Sequence, residues 1–253
     1  MAKVEVEREG AVWTLTLNRP EVRNAVDAET AALLEQAIGA FAADDVARAM
    51  VVTGAGEAFC AGADLKAMDL LARPGLERSS PMGFGRLDPG KPTFAAVNGG
   101  CFAGGMELAA WCDVRIADDR AEFGVLNRRW GIPLVDGGTQ RLPRIMGLGN
   151  ALYLIETGVR IGARRALELG FVQEVVPAGT ALRRAGELAA VAAAYPAASL
   201  RADRASALAA LASPLAEGLE REARDGLATI GDPEMTEELR RFAAGDLPEP
   251  PRG

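Results

Sequence analysis

Two short apolar runs, each cut off by glycine, constrain this chain most. Ala49-Met50-Val51-Val52-Thr53 runs into Gly54-Ala55-Gly56, and Thr93-Phe94-Ala95-Ala96-Val97 runs into Asn98-Gly99-Gly100. A short continuous apolar run between turn signals reads as a strand covered on both faces. Such strands need helices packed against their sheet, so an alternating β/α core is expected. The N-terminal segments fit. Val4 and Val6, then Val12, Leu15 and Leu17, alternate as strands ended by Asn18-Arg19-Pro20. Asp27 can N-cap a helix of roughly fifteen residues that carries Leu33, Leu34, Ala37, Ile38 and Phe41 on one face.

Further along, the pattern predicts a helix starting near Asp64, a strand over Val114 to Ala117, helices over Gly138 to Met146 and Leu148 to Thr157, and a strand over Val172 to Val176. Residues 73–90 are rich in Pro, Gly and Ser and read as a long surface loop. From about residue 180 the pattern is helical only, punctuated by Pro196, Pro214 and Pro233, and the closing LPEPPRG is expected to be disordered. The expected division is a β/α core over 1–190 and a helical region over 191–253.

Composition removes several kinds of chemistry. The 253 residues contain no histidine, which excludes Ser-His and Cys-His catalysis and His-ligated metals together. Acid–base work must fall to carboxylates, Lys, Tyr or Cys. A net charge of −7 argues against nucleic acid, although the basic pair Arg128-Arg129 is suited to a small anion. No apolar run reaches membrane-spanning length and MAKVEVEREG lacks a signal-peptide core, so a cytoplasmic location without membrane contact is expected. Cys60, Cys101 and Cys112 lack CxxC spacing and read as buried thiols in a reducing compartment.

Three segments carry the chemistry. Gly54-Ala55-Gly56 is not one of them, because the third glycine of a dinucleotide fingerprint would fall at Phe59. In Ala58-Phe59-Cys60-Ala61-Gly62-Ala63-Asp64-Leu65, glycine ahead of a helix turns free backbone N–H groups outward; the plainer alternative is a tight turn capped by Asp64. In VNGGCFAGGMELAAWCD, Gly104 and Gly105 do the same, and Glu107 follows among Phe, Met, Leu and Trp. Burying that carboxylate is costly unless something uses it, although a glutamate also favours a helix start. Two such turns supply the pair of N–H donors that one developing oxyanion needs. In the third segment Asp136 precedes Gly137-Gly138, either as a helix cap or as a second acid.

These motifs are joined by LTLNRPEVRNAVD, AEFG, DGGTQRLPRIMG and TGVRIGARRALELGFVQEVVP. Together they make the chain similar, over almost its whole length, to the enoyl-CoA hydratase/isomerase (crotonase) superfamily. The resemblance implies an α/β fold: a crotonase-like β/α spiral core of repeated ββα units, with a C-terminal all-helical oligomerisation region that builds a homotrimer or a hexamer of paired trimers. It implies an acyl-CoA substrate, with coenzyme A entering as part of the thioester and no separate cofactor or metal. By motif position Ala63 and Gly104 would supply the N–H groups of an oxyanion hole, and Arg23, Ala61, Asp64, Leu65 and Lys66 would meet the CoA. Glu107 falls on the first of the two glutamates that hydratases of the family use. The second position holds Asn127, and an amide cannot exchange a proton as a carboxylate does. Asp136 is the candidate replacement, one position beyond the aspartate of some family isomerases, where this chain has Val135. The implied reaction is addition of water to a 2-enoyl-CoA. The alternatives are a one-carboxylate double-bond isomerase, or an acyl-CoA hydrolase or decarboxylase. A non-catalytic acyl-CoA binder is disfavoured by Glu107, and an RNA-binding relative by the negative charge.

Overall fold

The computed structural model describes residues 2–67 and 80–246. The first seven residues of the expected 73–90 loop, and the closing LPEPPRG, lie outside the described residues. The chain opens with β1 (Val4–Glu9) and β2 (Val12–Leu17), an antiparallel hairpin. Helix α1 (Ala28–Ala43) follows, capped as expected by Asp27, whose side chain accepts from the Thr30 N–H at 2.8 Å. From there strands come in pairs: β3 (Ala49–Gly54) with β4 (Ala58–Cys60), β5 (Thr93–Val97) with β6 (Gly100–Phe102), and, after α2 (Gly104–Trp111), β7 (Val114–Asp118) with β8 (Glu122–Gly124).

The first member of each pair enters one sheet and the second enters another. After α3 (Gly138–Met146) and α4 (Leu148–Thr157), β9 (Ile161–Gly162), α5 (Ala163–Glu168) and β10 (Glu174–Val176) complete both sheets. The large sheet has the order β1-β2-β3-β5-β7-β10, and the small one β4-β6-β8-β9. All neighbours from β2 onward in the large sheet are parallel, as are β4-β6-β8 in the small one. Repetition of this step gives a crotonase-type spiral. The continuous apolar runs are explained by it: every residue of β3 and β5 is buried.

Alternation within those strands assigns their side chains to two cores. Met50, Val52, Ala95 and Val97 share one core with Leu34, Ile38 and Phe41 of α1 and with Met106 and Leu108 of α2. Ala49, Val51, Phe94, Ala96 and Ile116 face the other way, against Ala181, Ala185, Ala189 and Ala193 of α6 (Ala181–Ala194). Alanine at every fourth position lets α6 lie close against the sheet. The boundary expected at 190/191 therefore falls inside a helix that belongs to the sheet. The last three helices, α7 (Ala197–Ala210), α8 (Leu215–Leu227) and α9 (Pro233–Ala243), bury no residue fully.

One local expectation is corrected. Residues 80–90 do not form a surface loop: Met82 and Phe84 are buried, Phe84 packs edge-on to Trp111, and the Trp111 indole N–H donates to the Leu87 carbonyl at 2.7 Å. Proline and glycine composition hid those apolar anchors. Of the helix expected near Asp64, the described residues reach only one turn, Asp64 to Ala67, with the Ala67 N–H donating to the Asp64 carbonyl; residues 68–79 lie outside them. All three cysteines are buried and free, as expected. No helix among the described residues is long and apolar enough to cross a membrane.

Candidate active site

Parallel pairing of β4 with β6 makes both strands leave the small sheet on the same side, so their exit turns meet. After β4 the chain passes Gly62, whose φ of +93° suits glycine. The Gly62 carbonyl accepts from the Val26 N–H, and the Asp64 N–H donates to the Val26 carbonyl. In such a parallel bridge the residue between those two points its own N–H the other way. That residue is Ala63, and its N–H has no backbone acceptor among the described residues.

After β6, Ala103 takes φ 52° and ψ −120°, a conformation that residues with a Cβ rarely adopt. Its N–H is tied to the Gly124 carbonyl, while the N–H groups of Met106 and Glu107 turn back to the Ala103 carbonyl. The N–H of Gly104, first in α2, has no backbone acceptor among the described residues. The two turns nearly touch: a Cβ added to Gly62 would lie 2.8 Å from the Gly104 nitrogen. Close approach also fixes Gly105, where a Cβ would fall 2.1 Å from the Cys60 carbonyl oxygen.

One helical turn on, Glu107 is 2% exposed. Its Oε1 accepts from the Asp136 N–H at 2.9 Å and the Gly138 N–H at 2.8 Å. Burial, then the nearby Asp136 carboxylate, pushes its pKa up to about 7, against the opposing pull of those two N–H groups and of Arg141. A group poised there can take or give a proton near neutrality.

Asp136 is not a helix cap. The N-cap of α3 is Gly137, with no side-chain cap bond. The Asp136 side chain reaches the segment before β5 instead: Oδ1 accepts from the Met82 N–H at 2.9 Å, and the carboxylate is also hydrogen-bonded to Ser80. Burial raises its pKa, and those bonds together with Arg86 and Arg141 oppose the rise. Asn127 is buried in the 3-10 turn Leu126–Trp130, where its Nδ2 donates to the Ile132 carbonyl at 2.7 Å. That bond fixes the amide orientation and leaves Oδ1 a buried acceptor without a partner among the described residues.

These groups face one cavity of about 190 Å³, walled by Ala63 and Gly104 on one side and by Asn127, Leu134 and Asp136 on another, with Glu107 between. Arg23, Ala61 and Leu65 also line it. Asp64 and Lys66 do not. Asp64 is ion-paired with Arg19 at 3.0 Å, and Lys66 is exposed outside the lining. Met82, Trp130 and Arg160 also line the cavity and were not singled out as site residues in the sequence. Met82 belongs to the 73–90 segment, Trp130 is 69% exposed at the cavity wall, and the Arg160 guanidinium lies 5.1 Å from the Phe102 ring centre. Trp130 carries a readable signal, as an indole beside two arginines in a segment too short for a core helix.

Comparison with known proteins identifies the family. Residues 7–244 match the enoyl-CoA hydratase/isomerase family. A short-chain-enoyl-CoA hydratase of Clostridium acetobutylicum is 40% identical over 191 residues, which cover 74% of this chain and 73% of that one. An enoyl-CoA hydratase of Mycobacterium tuberculosis is 37% identical over 191 residues, covering 73% and 72%. The crystal structure of an enoyl-CoA hydratase from Mycobacterium marinum superposes with a TM-score of 0.91 at 30% identity, covering 98% of each chain. This chain, with its two-sheet spiral and its buried carboxylate beside two glycine turns, belongs to the enoyl-CoA hydratase/isomerase family.

Proposed function

We propose that the cavity hydrates the C2=C3 double bond of a 2-enoyl-CoA. The observation that carries this reading is Glu107: both of its backbone hydrogen bonds fall on Oε1, in a buried cavity wall next to two donor turns. In this reading the thioester oxygen sits between the N–H groups of Ala63 and Gly104, with the CoA running out past Ala61, Leu65 and Arg23. Water stands between Glu107 and Asn127 and donates one hydrogen to the Asn127 Oδ1. Glu107 takes the other proton as the water oxygen bonds to C3. The π electrons of C2=C3 move to form the enolate, whose negative oxygen the two N–H groups stabilise; loss of one such donor typically costs about 3 kcal/mol. The proton then returns to C2 from Glu107, or comes from a protonated Asp136 that Glu107 afterwards resupplies. Either route balances: one O–H bond of water is broken, and one C–O and one C–H bond are made.

One observation favours a second reading. Asn127 cannot act as an acid or base as a carboxylate does, and a site with one strongly placed carboxylate can also move a proton from C2 to C4 of a 3-enoyl-CoA. A direct assay separates the two. The purified protein is given crotonyl-CoA and a 3-enoyl-CoA, and the absorbance of the conjugated thioester is followed. Hydration removes that absorbance from crotonyl-CoA, and isomerisation creates it from the 3-enoyl-CoA. Turnover of neither overturns the proposal.

Assembly follows the same reading. We place the contacts of a homotrimer, or of a hexamer built from two, on α7 to α9, where Leu208, Leu211, Leu215, Leu219, Leu227 and Phe242 are each more than half exposed. Light scattering after size exclusion should give three or six times 26.5 kDa. A monomer overturns this placement.

A further inference from the structure

The cradle around Glu107 is itself held by a side chain outside the reactive cavity. Arg141 is the fourth residue of α3 and does not line that cavity. Its Nη1 donates to the Asp136 carbonyl at 3.1 Å and its Nη2 to the Gly85 carbonyl at 2.7 Å. Asp136 and Gly138 are the residues whose N–H groups hold the Glu107 Oε1. One guanidinium therefore grips, by a carbonyl, the turn that grips Glu107 by its N–H groups. Arg141 stands on a firm base, because its own N–H donates to the Gly137 carbonyl at 2.9 Å.

Two glycines clear the space for this grip. At Gly137, with φ +105°, a Cβ would collide with the Arg141 Nη1, and at Gly85 one would fall 2.7 Å from the Asp136 carbonyl oxygen. A cation this near a helix start opposes the helix dipole, so helix formation does not explain an arginine here. Nor does ion pairing: both side-chain hydrogen bonds of Arg141 go to carbonyls, and it makes no ion pair with a carboxylate among the described residues. Its charge is felt by Glu107 and Asp136, where it opposes the upward push of burial. The other ionisable groups around this centre are Arg86 and Asp88 from the segment before β5, Cys60 from β4 and Cys112 from α2. Burial pushes both thiols up and keeps them neutral.

We propose that Arg141 is the positioning residue of the acid–base centre: by tying the 136–138 turn to the 80–85 segment it holds the two N–H groups on the Glu107 Oε1, and its positive charge favours the ionised carboxylate that takes a proton from water. The proposal rests on the reading of Glu107 as the base of the reactive cavity and adds the residue that sets it. A guanidinium suits both tasks, because its planar fork spans two carbonyls in one geometry and it keeps its charge throughout.

The test gives crotonyl-CoA to the whole chain and follows kcat and KM from about pH 5.5 to about pH 9.5. In the unaltered protein kcat/KM should rise with pH through about 7, as Glu107 ionises. Arg141→Lys keeps the charge and gives up the fork, so kcat should fall at least about threefold at every pH while KM stays within about twofold. Arg141→Gln also removes the charge. Its rise should move up by at least about half a pH unit, further than in Arg141→Lys, and the turnover lost near neutrality should recover in alkali to the level of the lysine variant. A purely structural defect would lower activity without moving the rise. A rise that stays in place in Arg141→Gln, or that moves as far in Arg141→Lys, overturns the inference. So does an unchanged kcat in Arg141→Lys, which decides alone if circular dichroism shows Arg141→Gln unfolded. No turnover or a flat pH profile in the unaltered protein, or full turnover by Glu107→Gln, defeats the underlying reading instead, so the two failures are distinguishable.

Discussion

The reactive cavity has two walls built on different principles. One consists of backbone: the turns after β4 and β6 present the N–H groups of Ala63 and Gly104, and the parallel pairing of those strands places them. The other consists of side chains, Asn127, Leu134 and Asp136, carried by irregular chain between β8 and α3. The first wall follows from the fold itself, since any sequence that pairs β4 with β6 and permits the two glycine-dependent turns will form it. The second can change residue by residue without disturbing a sheet. In the proposed reaction, stabilising charge on the thioester oxygen falls to the rigid wall, and handling the proton falls to Glu107 and the editable one.

Substitutions can break this comparison or sharpen it. The largest effect is expected at the residue between the walls. Glu107→Gln keeps an acceptor for the Asp136 and Gly138 N–H groups but cannot take a proton, and kcat should fall by about 10²–10⁴ while circular dichroism stays native. Retained turnover would remove Glu107 from the chemistry. Next comes the backbone wall. Gly62→Ala forces a Cβ to within 2.8 Å of the Gly104 nitrogen at a φ of +93°, so kcat should drop about 10²-fold, read beside a thermal melt that reports the strain separately. A variant that melts early yet turns over normally would show that the two N–H groups do not act together.

The side-chain wall should respond less. Asp136→Asn ought to cost at least about tenfold in kcat if its carboxylate supplies or relays a proton. A silent variant would assign Asp136 to holding the Met82 segment only. A further expected effect is on stability rather than on turnover. Glu107 stays protonated in the folded chain up to about 7, whereas the unfolded chain ionises it near 4.5. The folded state therefore binds more protons across that window, so this group's contribution is complete below it and is lost as pH rises through about 7. The difference amounts to about 3 kcal/mol. Denaturant titrations at about pH 5 and about pH 8 should show a fall in stability that Glu107→Gln abolishes. An unchanged fall in the variant would mean that other groups produce it.

Legibility in the sequence divides along the same line. The buried strands β3 and β5, the Asp27 cap, and the two glycine turns with Glu107 one helical turn beyond are all local patterns, and each reads correctly from its own neighbours. The side-chain wall was only half readable. Asn127 and Asp136 are identifiable as residues, but what they do depends on how the chain folds around them: Asp136 reaches Met82 and Ser80, more than fifty residues away, and Asn127 turns back on the Ile132 carbonyl five residues on. A cap and a cavity carboxylate look alike when only the double glycine that follows is visible. The helices show the limit again. α6 and α7 are both rich in alanine, with a stripe of it along one face of each, yet α6 covers a sheet and α7 buries no residue fully; the sheet that decides between them is not a local pattern.

The two N–H groups that hold the Glu107 Oε1 come from the turn whose Leu134, Val135 and Asp136 wall the reactive cavity. Acidity and cavity shape are therefore mechanically geared. A designer who widens that turn to admit a bulkier acyl end will also loosen the cradle that sets when Glu107 ionises. In this scaffold substrate range and pH optimum should drift together, and a search that varies residues 134–138 for one of them will need to screen for both.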